Sequence, residues 1–258
     1  MGKQRENNED NLYFNGEFLT VETREKPVDF ETVCGDSRQF YAVFDGMGGE
    51  QLGELASLIA VETLHEYAEL LKDAAEEKNI GAEIESYIHK ANGLICEAQK
   101  SSGANRIGTT FALLAVEANC VNLYNIGDSR IYLMRKGKLE QLSFDHTAVA
   151  NSVRMGILTP EQAKTHPHRN RLTQYVGIDA AEMVIEAYKN TIQMKNKDIF
   201  LLCSDGLTDV VDEAEISRIL TETDSPAEAS RQLVDAALAR NGKDNITVIV
   251  LLYRRAIW

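Results

Sequence analysis

Five acidic points recur where apolar stretches of this chain begin or end. Phe40-Tyr41-Ala42-Val43-Phe44 runs into Asp45-Gly46-Met47-Gly48-Gly49, and Ile199-Phe200-Leu201-Leu202-Cys203 runs into Ser204-Asp205-Gly206. Asn8-Glu9-Asp10 stands just before the first apolar run, and Gly127-Asp128-Ser129-Arg130 interrupts two others. Lys243-Asp244-Asn245 precedes Ile246-Thr247-Val248-Ile249-Val250-Leu251-Leu252. Taken singly, each is an ordinary turn or a side chain bonding its local backbone. Their repetition at strand ends points instead to carboxylates aimed out of a sheet into one acidic site.

Carboxylates without Cys or His beside them are hard oxygen donors, suited to Mg²⁺ or Mn²⁺ rather than zinc or copper. Two such ions ~3.5–4 Å apart can hold a hydroxide between them and polarise a phosphoryl group. Arg5, four residues before Glu9, is the cation placed to hold a phosphate through a two-pronged hydrogen bond. Its plainer reading is a solvated charge near a terminus. A thiol route is disfavoured, because no Arg stands six residues after Cys34, Cys96, Cys120 or Cys203. A calcium-buffer reading fails too, since the acids come from distant segments without the compact spacing of an EF-hand loop.

The elements that must position these residues can be read from periodicity. Leu12–Phe14, Glu17–Val21, Phe30–Cys34 and Phe40–Phe44 read as short strands, with Asn15-Gly16 as a hairpin turn. The strand through Val43 is expected to end at Asp45, the glycines after it forming a tight turn. Helical spacing predicts helices over about Glu50–Asn79 and Ala82–Lys100, an αα-hairpin. Strands are expected again at Thr109–Val116, Cys120–Ile126, Arg130–Arg135, Lys138–Leu142, Met183–Tyr188 and Asp198–Cys203, with Lys136-Gly137 as a turn. Helices over about Asp212–Thr221 and Pro226–Arg240 and a closing strand at Ile246–Tyr253 complete the chain. Residues 145–174 lack strand periodicity and read as a surface excursion, with a helix start at Thr159-Pro160.

Bulk properties narrow the function classes. No run approaches the ~18 apolar residues of a membrane span. The first residues lack the apolar core of a signal peptide, and Glu6 stands where a myristoylation motif needs Ser or Thr. A net charge of −13, from 40 acids against 27 Lys and Arg, repels nucleic acid and anionic lipid. The four cysteines are scattered, as expected of reduced thiols in a cytoplasmic protein. No linker or repeat is apparent, so one domain over residues 1–258 is expected.

Arg5…Asn8-Glu9-Asp10, Phe44-Asp45-Gly46-Met47-Gly48-Gly49, Gly108-Thr109-Thr110, Gly127-Asp128-Ser129-Arg130-Ile131-Tyr132, Asp145-His146, Ser204-Asp205-Gly206-Leu207 and Asp244-Asn245-Ile246-Thr247 occur in that order. Together they resemble the metal-dependent Ser/Thr protein phosphatases of the type 2C (PPM) class, bacterial branch. The similarity covers essentially the whole chain. It implies an α+β fold: a four-layer αββα sandwich of two antiparallel sheets flanked by helix pairs. It also implies that Asp45 bridges two Mn²⁺ or Mg²⁺ ions, that the Gly46 carbonyl ligates one, and that Asp205 and Asp244 hold the other. Glu9 and Asp10 would orient bound waters and Arg5 would bind phosphate. Asp128 with Asp205 would form a weaker third-metal site, and residues 145–174 would be a mobile flap. The implied partners are phosphorylated proteins, substrates of a Ser/Thr kinase, met by a monomer.

Three departures accompany the resemblance. Relatives carry a full strand before the phosphate-binding Arg, whereas four residues precede Arg5, so a short or missing edge strand is expected. Met47 stands where eukaryotic members place a His that protonates the leaving group; His146, His166 and His168 are near in sequence but read as structural or exposed. Gln174-Tyr175-Val176-Gly177 differs from the Arg-(small)-Leu-Gly common at the end of the flap. A catalytically silent phosphoprotein-binding module on the same fold is the alternative, and retention of all the metal-binding acids argues against it.

Overall fold

The computed structural model describes residues 2, 5, 7–35, 38–48, 52–72, 79–104 and 106–255. Among them, eleven strands form two antiparallel sheets. The first contains β1 (Asp10–Phe14), β2 (Glu17–Phe18), β3 (Arg38–Gly48), β5 (Phe111–Glu117), β6 (Cys120–Ile126) and β9 (Tyr188–Gln193), in the order β2-β1-β3-β5-β6-β9. A short β4 (Ile107–Thr109) pairs with the far end of β3. The second sheet has the order β11-β10-β7-β8, from β7 (Arg130–Arg135), β8 (Lys138–Gln141), β10 (Ile199–Cys203) and β11 (Val248–Leu252).

Successive side chains of a strand point to opposite faces, so each sheet has two sides to cover. Tyr41, Val43, Leu114 and Leu123 of the first sheet meet Ile131, Leu133, Phe200, Leu202 and Ile249 of the second in one apolar layer between the sheets. The opposite face of the first sheet, with Phe40, Phe44, Phe111 and Leu113, packs on helices α1 (Gly53–Lys72) and α2 (Ile80–Ser102). The outer face of the second, with Tyr132, Leu201 and Val250, packs on α6 (Glu213–Glu222) and α7 (Pro226–Ala239). The result is the expected αββα sandwich.

Several boundaries differ from the sequence reading. β3 does not stop at Asp45. It continues through Gly48, pairing Gly46 with Thr109 and Gly48 with Ile107. Gly46 is needed for space rather than for a turn, because a Cβ there would collide with the carbonyl oxygens of Gly53 and Glu9. Asp205 likewise lies not at a strand end but at the first residue of a helical turn, α5 (Asp205–Thr208), after the Ser204 N-cap. Phe30–Cys34 is not a strand, and the expected strand at Glu17–Val21 shrinks to two residues before the turns at 21–25. The strand expected at Met183–Tyr188 lies instead at Tyr188–Gln193. This edge strand is mostly exposed and polar, so apolar periodicity does not reveal it. Asn79 opens α2 as its N-cap, accepting from the Ala82 N–H, rather than closing the first helix. Gly49, the expected helix start at Glu50, and residues 73–78 lie outside the described residues, as does most of the stretch before Arg5.

The two hairpin turns are as expected. Asn15 and Gly16 have φ of 50° and 121°, and Lys136 and Gly137 have φ of 53° and 75°. Residues 145–174 carry two short helices, α3 (Ala148–Arg154) and α4 (Pro160–Lys164), and are closed at the base by a Thr147–Leu172 bridge.

Candidate active site

The layer between the sheets is apolar along most of its length and turns polar at one end. Leu12 faces that layer, so Asp10, two residues earlier, faces the same way. By the same period, Asp45 follows Tyr41 and Val43, Thr110 precedes Ala112 and Leu114, and Ser129 precedes Ile131. Ser204 follows Phe200 and Leu202, and Thr247 precedes Ile249. Six strands therefore continue the inward alternation past the apolar core and there present an acid or a hydroxyl.

Hydrogen bonds fix this end. Asp10 is paired with Asp45 across β1 and β3. Asp10 Oδ2 accepts from Ser204 Oγ at 2.8 Å and from Thr247 Oγ1 at 2.7 Å, tying the first sheet to the second. That leaves Oδ1 for the acid cluster. The backbone of Asp45 is held from both sides: its N–H donates to Thr110 Oγ1 (2.9 Å), and its carbonyl accepts from Thr110 N (2.9 Å) and Thr109 Oγ1 (3.0 Å). Thr110 Oγ1 lies 2.7 Å from Ser129 Oγ, which anchors the residue after Asp128. Gly127, with φ of 97°, makes the turn that carries Asp128. Its N–H donates to His146 Nδ1 at 3.1 Å, so the proton of that neutral imidazole is on Nε2. Desolvation keeps the His146 pKa below its ordinary value, and the ring acts as a brace for the Asp128 turn.

The acids feel one another. Desolvation first, then the charges of Asp10, Asp205, Asp128 and Asp244, push the Asp45 carboxyl well above the usual carboxylate range. The Asp205 carboxyl is raised to about 6 by desolvation, Asp209 and Asp244, while Asp45 and Arg5 work in the opposite direction. Asp10 is raised to about 7, chiefly by burial and against the two hydroxyls that favour its ionised form. Asp128 is raised well above normal by desolvation, Asp205 and Asp145. By whole-residue exposure Asp45, Asp128 and Asp205 are only half-buried, but protein crowds their carboxyl groups.

Arg5 is the cation of this cluster. Its Nε and Nη2 fork onto Asp244 at 2.7 and 2.9 Å, and Nη1 reaches Glu9 Oε2 at 3.2 Å. Glu9 is buried, and Gly53 at the start of α1 lies against its carboxyl so closely that a Cβ there would stand 2.8 Å from it. Burial raises the Glu9 pKa, opposed by Arg5. The Glu9 backbone is placed by its N–H donating to Asn245 Oδ1 (2.9 Å) and its carbonyl accepting from Gly46 N (3.2 Å).

The structure thus brings Arg5, Glu9, Asp10, Asp45, Gly46, Asp128, Asp205 and Asp244 to one end of the sandwich. The donor set, carboxylate oxygens in mutual repulsion with a single forked Arg, fits hard divalent cations. Among the described residues, however, no three acidic, His or Cys side chains are drawn into the tight geometry of a formed metal site. Asp244 is turned toward Arg5. Sequence reasoning gave no role to Ser204, Thr247, Asn245, Thr110 and Ser129, which hold the acids in place. For Ser129, Ser204 and Asn245 the available signal was position, each adjoining a named acid near a strand end; Thr110 and Thr247 have no such neighbour. His166 and His168 are in the excursion, whose Arg169 and Asn170 both reach Asp209 Oδ2 at 3.3 Å. Arg130 anchors the other end of that segment through Asp145, with Nη2 at 2.7 Å.

The protein phosphatase 2C family profile matches residues 29–241, well over half of the chain. The serine/threonine phosphatase Stp of Listeria welshimeri is 33% identical over 224 residues, covering 84% of this chain and 85% of that protein. The serine/threonine phosphatase Stp1 from Staphylococcus aureus has a TM-score of 0.83 at 29% identity, covering 99% of this chain and 92% of that one. The catalytic domain of the serine/threonine protein phosphatase PstP, solved with two manganese ions, has a TM-score of 0.76 at 28% identity, covering 96% of this chain and 93% of that one.

Proposed function

Because the chain belongs to the protein phosphatase 2C family, we propose that it is a metal-dependent phosphatase acting on phosphoserine and phosphothreonine in proteins. The observation that carries this reading is the convergence of Asp10, Asp128, Asp205 and Asp244 on Asp45, whose pKa all four raise, with Arg5 forked onto Asp244 at their edge.

Asp45 and the Gly46 carbonyl, with Asp205 and Asp244, would hold two Mn²⁺ or Mg²⁺ ions, and Asp128 with Asp205 a weaker third. Such ions, when bound, supply Lewis acidity toward a phosphoryl group and a water acidic enough to attack at neutral pH. Ser204 and Thr247 fix Asp10, so that its free oxygen can accept a proton from, and orient, the attacking water. Glu9, set by Asn245 and Gly46, would do the same from the α1 side. Arg5 binds the phosphate: a phosphate monoester presents the same pair of oxygens that the Asp244 carboxylate now offers the guanidinium fork. Met47 supplies no proton to the leaving group, and His146 is committed to its brace, so neither serves as the general acid.

We take residues 1–258 as one domain, with residues 145–174 as a flap hinged at the Thr147–Leu172 bridge and latched to Asp209. The substrates would be products of a Ser/Thr kinase, met in the cytoplasm by a monomer. The net charge of −13 disfavours nucleic acid, and no helix of the described residues is long and apolar enough to cross a membrane.

The test is turnover of p-nitrophenyl phosphate and of a phosphothreonine peptide with Mn²⁺, after chelation, and with Asp205→Asn. Turnover is expected only in the first condition. Equal rates in all three would remove the two-metal reading.

A further inference from the structure

The stretch that carries Thr110 runs outward past the acid cluster. Gly46 lies opposite Thr109, Met47 opposite Gly108 and Gly48 opposite Ile107, in unbroken register with the Val43–Ala112 pair. Ala112 and Leu114 face the layer between the sheets, and so does Thr110, whose hydroxyl meets Ser129. By the strand period of two, Gly108 and then Arg106 follow on that face, while Ile107 points into the helix-side core. Arg106 therefore shares the face of the Asp45 carboxylate. It stands about 13 Å along the chain from Thr110, at the outer lip of the site.

Arg106 is held there by an aromatic ring. Its Nε donates to Tyr175 Oη at 2.8 Å, and its guanidinium carbon lies 4.9 Å from the centre of the same ring. Tyr175 is itself fixed. It is 3% exposed, it packs on Gly108 so closely that a Cβ there would collide with the ring, and Val176 exchanges backbone hydrogen bonds of 2.8 and 2.9 Å with Thr109. The resembled family commonly has a small residue at this position, so the anchor is a feature of this chain. The other edge of the guanidinium is open. The Arg106 side chain is 55% exposed, Nη1 has no partner among the described residues, and Nη2 reaches only Glu182 Oε2 at 3.7 Å. A solvated pair at that distance is weak, and a guanidinium already ordered gives up little freedom when a ligand arrives.

We propose that Arg106 is a specificity-determining residue that selects phosphopeptides carrying a carboxylate a few residues from the phosphorylated Ser or Thr. The proposal rests on the phosphatase reading and names a substrate class for the same site. An extended peptide rises ~3.3 Å per residue, so with its phosphate among the acids it brings a side chain two to four residues away within reach of Arg106. There the carboxylate displaces Glu182 and takes the open guanidinium edge. Elsewhere on this acidic mouth it meets only repulsion.

The test uses the full chain with Mn²⁺ and phosphothreonine peptides in an alanine background. Each carries one glutamate, moved from four residues before to four after the phosphothreonine, and each has a glutamine counterpart. At one position kcat/KM for the glutamate peptide is expected to exceed that for glutamine by roughly fivefold, chiefly through KM. The ratio should fall to one in Arg106→Gln, and in Arg106→Glu a lysine at that position should be preferred instead. Fluorescence anisotropy with non-hydrolysable phosphonate versions of the peptides reads the same ratio without turnover. Absence of turnover on every peptide and on p-nitrophenyl phosphate would sink the phosphatase reading alone if the anisotropy ratio remains. The proposal is overturned if no position separates glutamate from glutamine on the native chain by either readout. It is also overturned if Arg106→Gln weakens both peptides by the same factor, the result of a side chain that only braces the base of the flap.

Discussion

At the scale of single residues, the site depends on hydroxyls as much as on acids. Asp10 is held by Ser204 and Thr247, and a hydrogen bond to a charged group contributes about 1.5–3 kcal/mol. Ser204→Ala is therefore expected to lower stability by about that amount in urea unfolding. It should also lower kcat by roughly 10–100-fold, as is usual when a partner of a metal-site carboxylate is removed. An unchanged kcat would show that Asp10 needs no fixing. Arg5 makes a different prediction. Because its fork engages Asp244, Arg5→Ala should weaken substrate binding, seen as a raised KM, while leaving Mn²⁺ affinity by calorimetry equal or tighter. Weaker Mn²⁺ binding would mean that Arg5 supports the metal site rather than competing with it.

At the scale of elements, two glycines separate the uses to which this residue is put. Gly46 lies in β3 where α1 and the Glu9 backbone press against it, so Gly46→Ala must push α1 away and is expected to destabilise and inactivate together. Gly93 lies within α2, and a Cβ added there would meet no atom within 4 Å. There, Gly93→Ala should stabilise by about 0.8–1.0 kcal/mol through helix propensity, raising Tm by roughly 2–4 °C with activity unchanged. Calorimetry on both variants checks the pair. Elements were legible where apolar periodicity is strong: α2, α6, α7, β6, β7 and β10 fall close to expectation. β9 was misplaced because Tyr188–Gln193 is mostly exposed, and the continuation of β3 past Asp45 was missed because glycine usually signals a turn. Here it signals close approach of two backbones.

At the scale of the whole molecule, the acid cluster sets how stability responds to pH and metal. Asp205 and Asp10, raised from 3.8 to about 6 and about 7, hold protons in the folded chain that the unfolded chain has already released. Stability of the metal-free protein should therefore fall as pH rises from about 4 through about 7. Ions that bind the folded acids should reverse this, so that Mn²⁺ raises Tm more at pH 8 than at pH 5. Thermal unfolding with chelator and with Mn²⁺ at both pH values decides it; a metal-free Tm that rises over that window would contradict the cluster. The sequence alone determined which residues alternate toward a face and that acids stand at the ends of those runs, because side-chain direction in a strand is fixed by its period of two. Only the tertiary structure decided that six of these strands bring their polar ends to the same mouth of the sandwich. It also decided that Ser204 and Thr247 reach Asp10 across more than 190 residues. Those facts follow from how two twisted sheets stack and slide against each other, which local periodicity does not encode.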